Sequence, residues 1–153
     1  MADLFTHLAV ARVPAALLPH RHVSILLVLG TFLPDLAAKS LYWIAWASED
    51  FVRPTHSLAG LVCLSYLAAL FVEPALRRPA FAAFLAGGLL HVAVDMLKDT
   101  LDHGAIFLLY PFSMRGFELG LVDPEDVILF LPIDVLLLVL AWFVERRRRD
   151  GRL

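Results

Sequence analysis

The chain has 153 residues, 60% of them apolar and 18% charged, with a mean hydropathy of +0.77; ordinary soluble domains are nearer about half apolar and about a quarter charged. A net charge of -2 gives no footing for a nucleic-acid partner, and a single cysteine, Cys63, cannot close an internal disulfide. This balance argues against a water-soluble domain and predicts an all-α, polytopic membrane bundle of about four to five helices in one domain.

Residues 4–18 are apolar but short for a crossing, and they carry His7, Arg12 and Pro14. A tilted, re-entrant or interfacial helix is expected there. Asp3, Arg12 and the lack of a basic leading segment argue against a cleaved signal. Residues 23–47 are long enough to span, since a bilayer core takes roughly 20 apolar residues. Pro34, Asp35 and Lys39 predict that this span is kinked or broken.

Residues 57–76, 80–97 and 127–144 are three further candidate spans. Pro54-Thr55-His56-Ser57 opens the first of them. Asp123-Pro124-Glu125-Asp126 gives the last one a cap, a proline at the first helical position and acids at the positive helix end. Cys63 lies inside an apolar run and is expected in the core. Gly87-Gly88 reads as close helix packing, and Trp43, Trp46 and Trp142 as anchors at the membrane interface.

Basic residues orient the chain, because cytoplasmic loops are enriched in them. Arg146-Arg147-Arg148-Arg149 places the C-terminus in the cytoplasm. The segments around Arg77-Arg78 and His20-Arg21-His22 then fall inside, and residues 48–55 and 102–126 outside. The expected organisation is a transmembrane helical domain over 1–145 and a basic cytoplasmic tail over 146–153.

Ionisable residues within spans are costly and therefore point to function. Here they are His7, Asp35, His91, Asp95 and Asp134, with His56 at a helix entrance. His91 and Asp95 are four residues apart, on one helix face, with Asp99 and Asp102 continuing near that face. A histidine and a carboxylate one turn apart can share a metal, or the carboxylate can orient the imidazole. They also fit a plain interhelical hydrogen-bonded pair. The topology brings His7, His56, His91 and Asp95 to the outer side, while Asp35 sits mid-span. Imidazole and carboxylate ligands suit zinc and tolerate manganese or iron. Asp134 reads as structural, paired with Lys39 or a backbone group. No H-E-x-x-H, no G-x-S-x-G and no phosphate-cradling glycine loop occurs.

In order, Leu4-Phe5-Thr6-His7, Leu33-Pro34-Asp35, Pro54-Thr55-His56-Ser57, Gly88-Leu89-Leu90-His91 with Asp95, His103-Gly104 and Leu108-Leu109-Tyr110-Pro111 resemble the LexA-regulated inner-membrane family of metal-dependent hydrolases. That family is distantly similar to zinc-dependent phospholipase C. The likeness runs over about the first two-thirds of the chain, and Phe117-Glu118-Leu119-Gly120-Leu121 adds to it. It implies a helical membrane fold with a buried metal site, at positions His7, Asp35, His56, His91 and Asp95. Many members carry a second acid and a histidine after Pro-Asp, where this chain has Leu36-Ala37-Ala38-Lys39. Many also carry a histidine a few residues before Thr-His-Ser, where it has Phe51-Val52-Arg53. These departures point to one metal, or a degenerate site, rather than two metals.

The expected activity is hydrolysis of an ester or phosphoester near the outer leaflet, with a lipid as one candidate substrate. Asp95 is expected as ligand or base, and His103 as proton donor to the leaving group. The alternatives are a non-enzymatic metal- or partner-binding membrane protein, and a small ion or proton transporter. A transporter would spread its polar groups through the membrane depth, whereas a hydrolase would cluster them.

Overall fold

Six α-helices form among the residues that the computed structural model describes, namely 4–44, 53–97, 106–123 and 129–151. They are α1 (Leu4–Leu17), α2 (Arg21–Gly30), α3 (Leu33–Ile44), α4 (Leu58–Leu70), α5 (Arg77–Asp95) and α6 (Leu131–Arg149), with 3-10 turns at Arg53–His56 and Pro74–Leu76. No β-strand element occurs among the described residues, and extended pairing is confined to isolated bridges such as Ile106 with Phe117. The all-α expectation holds. The helix number exceeds four to five because the span at 23–47 breaks into α2 and α3.

That break lies at Thr31 and Phe32, and the two helices bend by 43° across it. Pro34 sits in the first turn of α3, where its missing N–H removes no helical bond. The next helix start is also local in origin. Ser57 caps α4, its hydroxyl accepting from the Gly60 N–H at 3.0 Å. The Pro-Thr-His ahead of it coils into a 3-10 turn rather than joining the helix.

Packing centres on α5, which meets α1, α2, α3 and α4, while α6 lies along α1. Small residues let the backbones approach. At Gly87 a Cβ would collide with the Leu27 carbonyl oxygen and the Gly30–Thr31 backbone, so α2 and α5 touch main chain to main chain. Gly88 meets only the Leu61 side chain and the Gly30 carbonyl. The buried apolar residues are correspondingly rich in alanine, including Ala9, Ala11, Ala15, Ala80 and Ala83.

The α1–α6 seam is polar at three levels. The Thr6 hydroxyl donates to Asp134 Oδ2 (2.8 Å), Arg12 pairs with Glu145, and the Arg148 guanidinium donates to the carbonyls of Ala16 (3.0 Å) and Leu18 (2.6 Å). Residue numbers rise together along both helices, so they run parallel. Arg148 thereby satisfies carbonyls that the end of α1 leaves open.

Three expectations are corrected. Cys63 is exposed rather than in the core, because it faces away from the α5 contact of α4. Lys39 pairs with Asp35, one turn away on its own helix, and Asp134 is held by Thr6 instead. The long spans are also interrupted, α4 ending at Leu70 before Glu73-Pro74. No single described helix is long and apolar enough to cross a membrane, but the α2–α3 pair passes by length and composition, and α1 and α4 are shorter apolar helices. α6 starts at Leu131 and continues through Arg149, so the arginine run is helical. Its expected capping sequence at 124–126 lies outside the described residues, as do Trp46, Asp99 and Asp102. Trp43 and Trp142 are exposed.

Candidate metal centre

Four separate elements bring the candidate ligands together. His7 comes from the second turn of α1, Asp35 from the first turn of α3, His56 from the end of the 3-10 turn, and His91 and Asp95 from the last turns of α5. Local rules explain much of each placement. Asp35 follows Pro34 at the positive end of α3, which favours an acid. His56 is held at the entrance of α4 by the serine cap beside it. His91 and Asp95 share a face because they are one turn apart.

The three Nε2 atoms and the two carboxylates face one another. His91 Nε2 is 2.9 Å from Asp95 Oδ2, 3.2 Å from His56 Nε2 and 3.7 Å from Asp35 Oδ1. His7 Nε2 is 3.3 Å from Asp95 Oδ1. His56 Nε2 is 3.6 Å from Asp35 Oδ1 and 3.9 Å from Asp95 Oδ2. The His7 and His91 rings stack with centroids 4.0 Å apart. Two ligand triads result, His7–His91–Asp95 and Asp35–His56–His91, each with its ligand atoms within 4.8 Å of one another.

These separations suit a metal. Ligand atoms about 2.1 Å from a tetrahedral ion stand about 3.4 Å apart, and the six distances above bracket that spacing. Both triads use His91 Nε2, and an imidazole nitrogen offers one lone pair. The two triads therefore cannot each hold an ion through that same atom at once.

The nitrogen on the far side of the His56 ring has a partner that can orient it. His56 Nδ1 lies 2.9 Å from Thr55 Oγ1. With Nε2 kept as acceptor toward the cluster, Nδ1 carries the proton and donates to the hydroxyl. Asp35 uses both oxygens, Oδ1 toward the imidazoles and Oδ2 accepting from the Lys39 ammonium at 2.9 Å.

All five expected ligand positions thus converge. Asp134 stays outside the cluster, one hydrogen bond away from Thr6, the neighbour of His7. His103 lies outside the described residues. Thr55 is a contact that the sequence reading left unassigned, and Lys39 one that it assigned to Asp134 instead of Asp35. The i, i+4 spacing of Asp35 and Lys39 carried the signal for the second, whereas the first depends on the geometry of the 3-10 turn.

Comparison with known proteins then adds one match: a family model described as YdjM inner membrane protein covers residues 1–151. The chain belongs to the YdjM inner membrane protein family. This agrees with the inner-membrane resemblance of the motifs, and it implies association with a lipid bilayer. No curated protein and no solved structure matches the chain.

Proposed function

We propose that the protein is a membrane-embedded hydrolase that acts on an ester or phosphoester at the outer leaflet, using one divalent metal held by His7, His56, His91, Asp35 and Asp95. The observation that carries this is the convergence of three imidazole Nε2 atoms and two carboxylates from four sequence-distant elements at metal-ligand spacing. Buried titratable groups gathered from so many elements are expensive in an apolar bundle unless they bind something.

Zinc is the best fit to the donor set, with manganese and iron as the other candidates. When bound, such an ion lowers the pKa of water toward about 7 and so makes hydroxide available near neutral pH. The protein's own groups do the rest. Thr55 holds the His56 ring with Nε2 inward. Asp95, between His7 and His91, fixes both rings or takes the proton from the attacking water. In hydrolysis the water oxygen bonds to the acyl carbon or phosphorus, the bond to the alcohol oxygen breaks, and a proton ends on the leaving alcohol. His103 is the candidate donor of that proton.

Membrane placement is part of the proposal. The basic run at Arg146–Arg149 at the end of α6 supports a cytoplasmic C-terminus. The parallel course of α1 and α6 then puts His7, near the start of α1, on the outer side. Exposed apolar side chains such as Val62 and Leu67 on α4, and Ile133, Leu136, Val139 and Phe143 on α6, favour contact with lipid. Clustering of the ligands at one end of the bundle argues against a transport path through its depth.

The test is metal analysis of detergent-purified protein, wild type beside His56→Ala and His91→Ala, followed by hydrolysis of a chromogenic phosphodiester and a chromogenic carboxyl ester. About one ion per chain, lost in both variants together with turnover, is the expected result. A folded wild-type protein that takes up no metal sinks the proposal. Stoichiometric metal with no turnover of either substrate class moves the function to metal binding alone.

A further inference from the structure

We propose that Lys39 is an anion-recognition group beside the metal site, and that the substrate is a phosphoester rather than a neutral carboxyl ester. The inference rests on the single-metal reading above and deepens it.

The cluster has a closed side and an open side. His7 and His91 are each 1% exposed, Asp95 is 17%, His56 19% and Asp35 23%, and Lys39 beyond Asp35 reaches 43%. A substrate arriving from outside the bundle therefore meets the α3 edge first. There the Lys39 ammonium stands 2.9 Å from Asp35 Oδ2, on the opposite oxygen from the one facing His56 and His91. Among the described residues it is the cation whose contacts join it to the cluster. Arg12 bonds elsewhere, to Glu145, as do Arg148, to the end of α1, and Arg77, to the end of α4.

Charge balance gives the sign of the ligand. Two carboxylates, Asp35 and Asp95, neutralise one divalent ion, and neutral imidazoles add nothing. While the ion's water is neutral, the site with Lys39 then carries one net positive charge. Such a site favours a ligand that brings a negative charge. A phosphoester does so, presenting one oxygen toward the imidazole cluster and a second toward the ammonium; a lysine serves such a group as a point charge. A neutral ester adds nothing to the contact that the ammonium already has with Asp35. An ammonium in a candidate membrane segment also needs a return for its desolvation.

A phosphate group of this kind is carried by a lipid headgroup or by a soluble phosphoester, and the test separates them. Full-length protein in detergent is loaded with cobalt, and its visible absorption is titrated with inorganic phosphate and, separately, with dihexanoyl phosphatidylglycerol. Wild type is compared with Lys39→Met and Lys39→Arg, and the metal affinity of each is measured by chelator competition. Metal-saturated Lys39→Met is expected to bind phosphate at least about tenfold more weakly than metal-saturated wild type, as loss of a charged hydrogen bond dictates. Lys39→Arg is expected to restore most of that binding. Tighter binding of the lipid than of inorganic phosphate assigns a headgroup substrate, and the reverse assigns a soluble one. Unchanged phosphate affinity in Lys39→Met overturns the inference and leaves the metal site standing. So does a fall in metal affinity with unchanged phosphate binding to the metal-saturated protein, since Lys39 would then only position Asp35. Failure of wild type to bind cobalt overturns the metal reading itself.

Discussion

Thr55 holds the face of His56 that is turned away from the cluster. A hydroxyl 2.9 Å from Nδ1 can accept that nitrogen's proton, the arrangement that leaves Nε2 its lone pair for a metal. Thr55→Val keeps the shape and removes the partner. Metal affinity is expected to fall roughly 10- to 100-fold, the usual cost of losing such a support, and chelator competition measures it. Acidification works on the same atoms, because imidazole binds metal only when neutral. Bound metal is expected to leave as pH falls, to return on neutralisation, and to do so at higher pH in Thr55→Val than in wild type. Release that does not depend on pH would remove histidine from the ligand set.

At this scale the sequence was partly legible. His91 with Asp95, and Asp35 with Lys39, follow from helical periodicity alone. The 3.2 Å approach of His56 to His91 does not, because it depends on where the 3-10 turn sits against α5. The error over Asp134 has the same root. Nothing in the sequence says that α1 lies beside α6, so its partner Thr6, 128 positions away, was out of reach.

Helix against helix, Gly87 and Gly88 make a sharp contrast. A methyl group at Gly87 meets backbone of α2 and cannot be absorbed by a rotamer change, whereas at Gly88 it meets the end of the Leu61 side chain. Gly87→Ala is expected to destabilise by about 1–3 kcal/mol or more, and Gly88→Ala by less, since overpacking cost depends on what can yield. Thermal unfolding in detergent distinguishes them. Equal melting points would mean that α2 and α5 are not in main-chain contact. The sequence suggested tight packing at this pair but not which glycine carries it. It also foresaw the weakness before Pro34, while the shift of the break to Thr31 and Phe32 reflects proline's tolerance in a first helical turn. The shortness of α4 was less legible, because the apolar run continues past Leu70 although the helix does not.

For the whole molecule, the orientation proposed from charge can be checked without a substrate. A cytoplasm-dependent fluorescent reporter fused after residue 153 is expected to be active, and a periplasm-dependent phosphatase inserted near Arg115 is expected to be active as well. The reverse pattern would put the cluster on the cytoplasmic side and remove an outer-leaflet substrate. The helical class, the broken second segment and the five converging positions were all accessible from the sequence. Their mutual distances were not, because they are set by how five elements pack around α5.

The parallel pairing of α1 with α6 has a consequence for how the protein is made. His7 is translated before the other four candidate ligands, and all five have been translated by Asp95. The helix that α1 leans on at Thr6, Arg12 and its last carbonyls begins only at Leu131. A ribosome stalled between those two points holds a chain with every candidate ligand but without the helix that α1 leans on. The order of translation thus leaves α1 unsupported along that seam until every candidate ligand has been made.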